Sequence, residues 1–326
     1  MKLKLLCSNE FILAVIIVIL ALVIGINNPV FLTFGNFITL LKSSIVMYIF
    51  ALCVTIVMVS GGIDVSFPAI AATSSYVTVL TLLKTGYNGS IFFVFLMSAL
   101  IGMALGLINA IIIYEFKVPT LIATLSTSAI YVGAIGTYLG GLKEIYQIPA
   151  ILEAYHSRNL ITTVNAEGIK FSLPESFLIL VVLTAATWFV LRYTYMGRGI
   201  YSIGGSKKSA RRAGYNLRLI SYFIYIYVGL MSGIAGIIFV TLLRASSVRS
   251  FLGQELIIIA AVAMGGARIT GGKGSVLGAI LGITIIVIIK NSLILLGITS
   301  EWQTFFIGVF ILLGIGVSAY RNKQIA

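Results

Sequence analysis

The chemistry open to this chain rests on few residues. Asp64 is its only aspartate and His156 its only histidine, and the two cysteines, Cys7 and Cys53, are far apart. These residues supply no paired carboxylates, no metal-ligand spacing and no disulfide framework. There is no GxSxG and no HExxH. The run Met264–Gly274 imitates a phosphate-binding loop but fails it. Ala267 stands where the first glycine is required, and Gly274 where a Ser or Thr should bind magnesium. Three groups of polar residues remain: Asp64 behind a Gly61-Gly62 break, a basic cluster at 206–214, and hydroxyl stripes inside apolar runs.

An acid at membrane depth is costly unless paired or wetted. Asp64 therefore reads either as a gate, with Gly61, Gly62 and Ser66 around it, or as the cap of the helix that follows, with Ser66 and Pro68 helping. The segment Gly61–Ser66 is echoed in type by Gly265–Thr270 at an offset of 204, which pairs Asp64 with Arg268 across two possible half-repeats. In the basic cluster, Ser206 is placed to N-cap a short helix that starts at Lys207 and Lys208 and continues through Ala210. Arg211 and Arg212 suit its last turn and Gly214 a left-handed end. The predicted helix, Lys207–Ala213, is too small and polar to fold without a surface to hold it. Thr120, Thr124, Thr127 and Tyr131 share one helix face, and Ser74 and Thr78 share another, with Thr81 beside them. Such stripes either line a path for a polyol or bond between helices and back to their own turns.

The elements that must position these residues are membrane spans. The chain is 60% hydrophobic and 10% charged, against about 25% charged in soluble domains. Ten apolar runs approach the length of about 20 residues that a bilayer requires: 11–27, 38–60, 67–83, 91–114, 119–139, 175–193, 221–243, 254–266, 276–295 and 302–319. Run 254–266 is short enough to be a half-helix or a tilted segment. With the N-terminus inside, 14 of the 22 Lys and Arg fall inside, 6 outside, and Lys42 and Lys290 within spans. That bias puts both termini and the basic cluster in the cytoplasm. It also explains the net charge of +13 without nucleic acid. The expected fold is an all-α polytopic membrane protein, one transmembrane domain over residues 1–326. A cytoplasmic segment spans 197–216. An extracytoplasmic loop spans 140–174 and is expected to hold a short surface helix and to serve as a lid or docking surface.

Four stretches, Val59–Ser66, Pro119–Thr127, Gly197–Asn216 and Ala263–Gly278, resemble in order the signature regions of bacterial ABC permeases of the ribose type. The resemblance covers nearly the whole chain. It implies a multi-pass subunit of the bacterial inner membrane, coupled through 206–214 to cytoplasmic ATPases that carry the ATP and magnesium, with no cofactor on this chain. It further implies a second permease subunit, an extracytoplasmic solute-binding protein and a small sugar-like solute. The family's coupling segment reads Glu-Ala-Ala-Arg-x-x-Gly. Here Lys208 replaces the acid, so the partner's groove should be acidic. Phe67-Pro68 stands where the family often has Val-Gly. Two other readings remain beside the sugar importer: a permease of the branched-chain amino acid type, and an ion-coupled secondary transporter, which would need ionisable groups in its spans.

Overall fold

The computed structural model describes residues 9–139, 144–165, 168–299, 302–309 and 312. Lys2, Lys4, Cys7, Lys143, Arg321, Lys323 and half of the run 302–319 lie outside these residues, and 302–309 are helical.

Eight described helices are long and apolar enough to cross a bilayer. They are α1 (Asn9–Asn27), α2 (Phe34–Val59), α3 (Phe67–Thr85), α4 (Ile91–Tyr114), α5 (Thr120–Tyr138), α7 (Ser176–Tyr193), α10 (Leu217–Leu243) and α12 (Val276–Leu295). Between them lie the short helices α6 (Ala150–His156), α8 (Tyr195–Gly205), α9 (Lys207–Arg212) and α11 (Glu255–Met264). At 10 residues, or about 15 Å, α11 is the half-helix expected from its run. The all-α expectation holds but for one antiparallel hairpin, β1 (Asn159–Val164) with β2 (Lys170–Pro174). It sits in the 140–174 loop beside the expected short helix, here α6, and its Ile161-Thr162-Thr163-Val164 run is a β-branched signal for a strand.

Burial ranks the helices. The apolar window of α2 is 72% buried and that of α10 61%, against 11% for α1. With α3 at 67%, the core is formed by α2, α3 and α10, and α1 has a face for lipid. Small residues let α4 touch the core helix α10. Ser98, Gly102 and Gly106 of α4 meet Tyr225, Gly229 and Gly233 of α10, backbone against backbone. The Ser98 hydroxyl donates to Gly233 O at 2.8 Å. Without a hydrophobic driving force between helices in lipid, such close approach is what binds them.

The two ends of the bundle differ. At one end α6 is fixed to the C-terminus of α10, by His156 Nδ1 at 2.7 Å from Thr241 O and by an ion pair of Glu153 with Arg244 at 3.4 Å. The other end gathers the C-termini of α2, α4, α7 and α11, the N-termini of α3, α5, α10 and α12, and all of α8 and α9.

Candidate functional site

The basic cluster is more built than its sequence suggested. Thr194 N-caps α8, accepting from Gly197 N at 3.1 Å. Ile200 and Ile203 turn that helix's apolar side inward. The chain then breaks at Ser206, whose hydroxyl accepts from Ser209 N at 3.2 Å and starts α9. Gly214 takes φ +84°, and Tyr215 N donates to Ala210 O at 3.1 Å, which closes α9 in a left-handed turn. Ala210, 2% exposed, is the point by which this six-residue helix is held. Sequence reading found α9 and its caps but missed α8. Its signal was Thr194 before Gly197 and the Ile200, Ile203 spacing.

The four cations of α9 divide. Lys207 and Arg211, one turn apart, line a cavity of about 640 Å³ together with Tyr114, Glu115, Lys117 and Thr120. Lys208 and Arg212 do not line it and are exposed. Glu115 is already engaged by Arg218 at 2.7 Å and by the Tyr222 hydroxyl at 3.0 Å.

Beneath α8 and α9 three Gly-Gly pairs meet: 61–62 after α2, 204–205 at the end of α8, and 271–272 in the loop before α12. Gly272 N donates to Val59 O at 2.9 Å, and the Tyr201 hydroxyl donates to Gly274 O at 2.8 Å. A Cβ on Gly204 would stand closer than 3.0 Å to both Val59 O and Gly272 N. One on Gly271 would stand 2.7 Å from the Cα atoms of Gly204 and Gly61. Main chain from three parts of the molecule is thus keyed together with no side chain between.

The half-repeat has a structural counterpart in another register. After α2, Gly61 N donates to Met58 O and Gly62 N to Val57 O; after α11, Gly266 N donates to Ala263 O and Ala267 N to Val262 O. Gly61 and Gly266 both have positive φ, +85° and +97°. The shared cap sets the offset at 205, one more than residue types suggested, so Asp64 corresponds to Ile269 and not to Arg268. Arg268 is exposed and donates its backbone N–H to Lys273 O at 3.0 Å. No ion pair joins it to Asp64 among the described residues.

Asp64, 3% exposed, instead organises the break between α2 and α3. Its Oδ1 accepts from the backbone N–H of Ser66 at 2.6 Å and from the Ser66 hydroxyl at 2.7 Å. Ser66 N-caps α3 without a side-chain cap bond of its own, and its hydroxyl accepts from Asn109 Nδ2 at 2.8 Å. The Tyr131 hydroxyl donates to Leu105 O at 2.8 Å. Val65 N donates to Thr124 Oγ1 at 3.3 Å, and Thr127 Oγ1 donates to Thr124 O at 3.3 Å. The Oδ2 oxygen of Asp64 is buried with no hydrogen-bond partner. Asp64→Ala should strand the Ser66 donors, at about 1–3 kcal/mol for a buried unsatisfied group. Asp64→Asn keeps the Oδ1 acceptor. Thermal melts in detergent should rank wild type, then Asn, then Ala; an alanine variant as stable as the asparagine one would contradict this role.

Residues 36–315 match the family described as branched-chain amino acid transport system / permease component. The chain belongs to that family. It is 31% identical to the ribose import permease protein RbsC of Bacillus subtilis, over 91% of this chain and 88% of the relative. It is 29% identical to the protein of the same name in Haemophilus influenzae, over 94% and 92%. It is 30% identical to the autoinducer 2 import system permease protein LsrC of Yersinia pseudotuberculosis, over 90% and 79%. No solved structure matches the chain.

For a permease component, the hydroxyl stripes matter most as possible walls of a path. Ser74 and Thr78 are buried and donate back to Ile70 O and Ser74 O, both at 2.7 Å. Thr124, Thr127 and Tyr131 are buried against neighbouring chain segments. Of the six proposed lining residues, Thr120 alone borders the cavity described above, with its hydroxyl 3.3 Å from that of Tyr225. The stripes face into the protomer because the apolar residues of α5, Leu121, Ile122, Leu125 and Ile130, take the exposed side. In this conformation the stripes bond between segments and back to their own turns.

Proposed function

We propose that this chain is the permease subunit of an ATP-driven ABC importer for a sugar or sugar-like solute. In this reading it dimerises with a second permease subunit, receives solute from an extracytoplasmic binding protein, and holds no cofactor, the ATP and magnesium residing on partner ATPases. The observation that supports it most is the glycine junction. Force applied to α9 reaches α8 at once, and Gly204 passes it to the helix ends after Val59 and before Ser275, which belong to both half-repeats. Gly61, Gly62, Asp64 and Ser66 act on this reading as the hinge of α2 on α3. The ribose and autoinducer 2 names of the relatives favour a polyol-like solute. The family description favours an amino acid as the second reading. The ion-coupled reading has little to use, since Asp64 is the only buried residue with a formal charge among those described.

The complex, purified from its native membrane, should contain an ATPase subunit and should import ribose in proteoliposomes with leucine failing to compete. Leucine competition without ribose competition would select the second reading. A chain that purifies alone and moves solute under an ion gradient without ATP would overturn both. Lys208 and Arg212, exposed and outside the cavity lining, are the cations left for an acidic partner groove. Reversing both to Glu should lower ATPase retention at physiological salt by about tenfold, the order expected for opposed charges at a docking surface. The same retention as wild type would remove these two residues from the contact.

A further inference from the structure

Whereas Lys84 sits in the last turn of α3, Lys42 and Lys290 lie within the bodies of their spans, α2 and α12. Either one alone is explained by a long side chain reaching for the interface. The structure brings them to one place. A cavity of about 470 Å³, at the end of the bundle remote from α8 and α9, is lined by Lys42, by Lys290 and by Lys170 of β2. Among the described residues, no Asp or Glu lines it. Among the described residues, none of the three lysines forms an ion pair. Of the described carboxylates at the same end, Glu153 is engaged by Arg244 and Glu175 by Arg158, while Glu255, next to the lining Gln254, forms no ion pair and stays outside the lining. The remaining wall is largely apolar, with Phe171, Phe239, Leu242 and Met47. Lys42 lies eight residues into α2, a rise of about 12 Å, and Met47 lies deeper.

We propose that this cavity binds one anionic glycerophospholipid. Its phosphate sits among the three ammonium groups, and one acyl chain runs along Phe171, Phe239 and Met47. Both halves of the chemistry are needed to explain the lining. A free phosphate has no use for the aromatic wall, and a neutral sugar has no use for three unpaired cations. Phosphate binding by clustered basic residues beside membrane helices follows ordinary lipid electrostatics. The site has a mechanical consequence. The Phe171 ring packs on Gly35 in the first turn of α2, so closely that a Cβ there would lie 2.7 Å from the ring. A bound lipid would therefore tie the β1–β2 hairpin to α2 and α12. The proposal does not depend on which solute is carried.

The test titrates the purified full chain in detergent with dioleoyl phosphatidylglycerol and, separately, dioleoyl phosphatidylcholine, reading bound lipid by native mass spectrometry. Phosphatidylglycerol should bind at least about tenfold tighter, with each lysine contributing about fivefold. Changing Lys42, Lys170 and Lys290 together to Gln should erase the preference, and changing them to Arg should keep it. If the Gln triple variant does not fold, Lys170→Gln alone, on the exposed hairpin, must still weaken phosphatidylglycerol several-fold. Equal binding of the two lipids, or a preference untouched by the Gln variants, would overturn the proposal. So would displacement of the lipid by glycerol 3-phosphate at comparable concentration, which would make this a site for free phosphate.

Discussion

Gly204→Ala is expected to stop solute uptake while the chain still reaches the membrane with its spans intact. The added methyl has nowhere to go. It would stand closer than 3.0 Å to Val59 O on one side and to Gly272 N on the other, and both are backbone atoms. A flexible side chain could swing aside; a carbonyl at a helix end cannot without moving the helix. The Gly272 N to Val59 O bond of 2.9 Å is the first to be lost. Overpacking of this kind costs about 1–3 kcal/mol, and here the cost falls on the contact that joins α8 to the membrane core. Gly205→Ala is the matched control, since its Cβ would meet nothing within 4 Å. Uptake and ATP hydrolysis by the reconstituted complex should separate the two variants. With Gly204→Ala, hydrolysis should persist and uptake should fall by about tenfold or more, the effect of losing roughly 1.4 kcal/mol of coupling. With Gly205→Ala both should stay at wild-type levels. Normal uptake by the Gly204 variant would mean that the junction does not transmit motion.

How much of this was legible beforehand depended on range. The spans followed from long apolar runs, because lipid forces the backbone into helices. The ends of α9 followed from Ser206 and Gly214, because capping is settled within a few residues. What failed needed distance. Thr120, Thr124, Thr127 and Tyr131 could be put on one face of α5 by spacing alone, but spacing does not say which way the face turns. The half-repeat was detected by residue type and mis-set by one position, because the shared feature is a left-handed glycine after the helix, at Gly61 and Gly266, and not a string of similar side chains. The Gly-Gly pairs at 61–62, 204–205 and 271–272 are plain in the sequence. That they meet is a fact of three helices arriving at one end of the bundle. The convergence of Lys42, Lys170 and Lys290 is of the same kind.

The largest effect on stability is expected at the crossing of α4 and α10. A Cβ on Gly229 would stand closer than 3.0 Å to Gly102 O and 3.2 Å from the Cα of Gly106. The obstruction is reciprocal, since a Cβ on Gly102 would strike Gly229 O. Gly229→Val must therefore force the two helices apart along the whole contact. Separation breaks the Ser98 to Gly233 bond of 2.8 Å and leaves that hydroxyl in an apolar interior. It also removes the close backbone packing that holds helices together in lipid, where burial of apolar surface gives no help. Because α10 is 61% buried over its apolar window and also runs from the end next to α9 to α6, the damage reaches both ends of the bundle. Gly133→Ala, in α5, is the control. Its Cβ would meet nothing within 4 Å, and alanine is favoured over glycine in a helix by about 1 kcal/mol. In detergent, Gly229→Val should melt well below wild type or fail to purify as a single species, and Gly133→Ala should melt at or above it. A Gly229→Val chain as stable as wild type would mean that α4 and α10 do not cross on these glycines. The signature of that crossing is a small residue every fourth position on both helices, at 98, 102 and 106 against 229 and 233. In a membrane such a spacing marks the place where two main chains meet, whereas in a soluble helix it would merely have lowered the helix propensity.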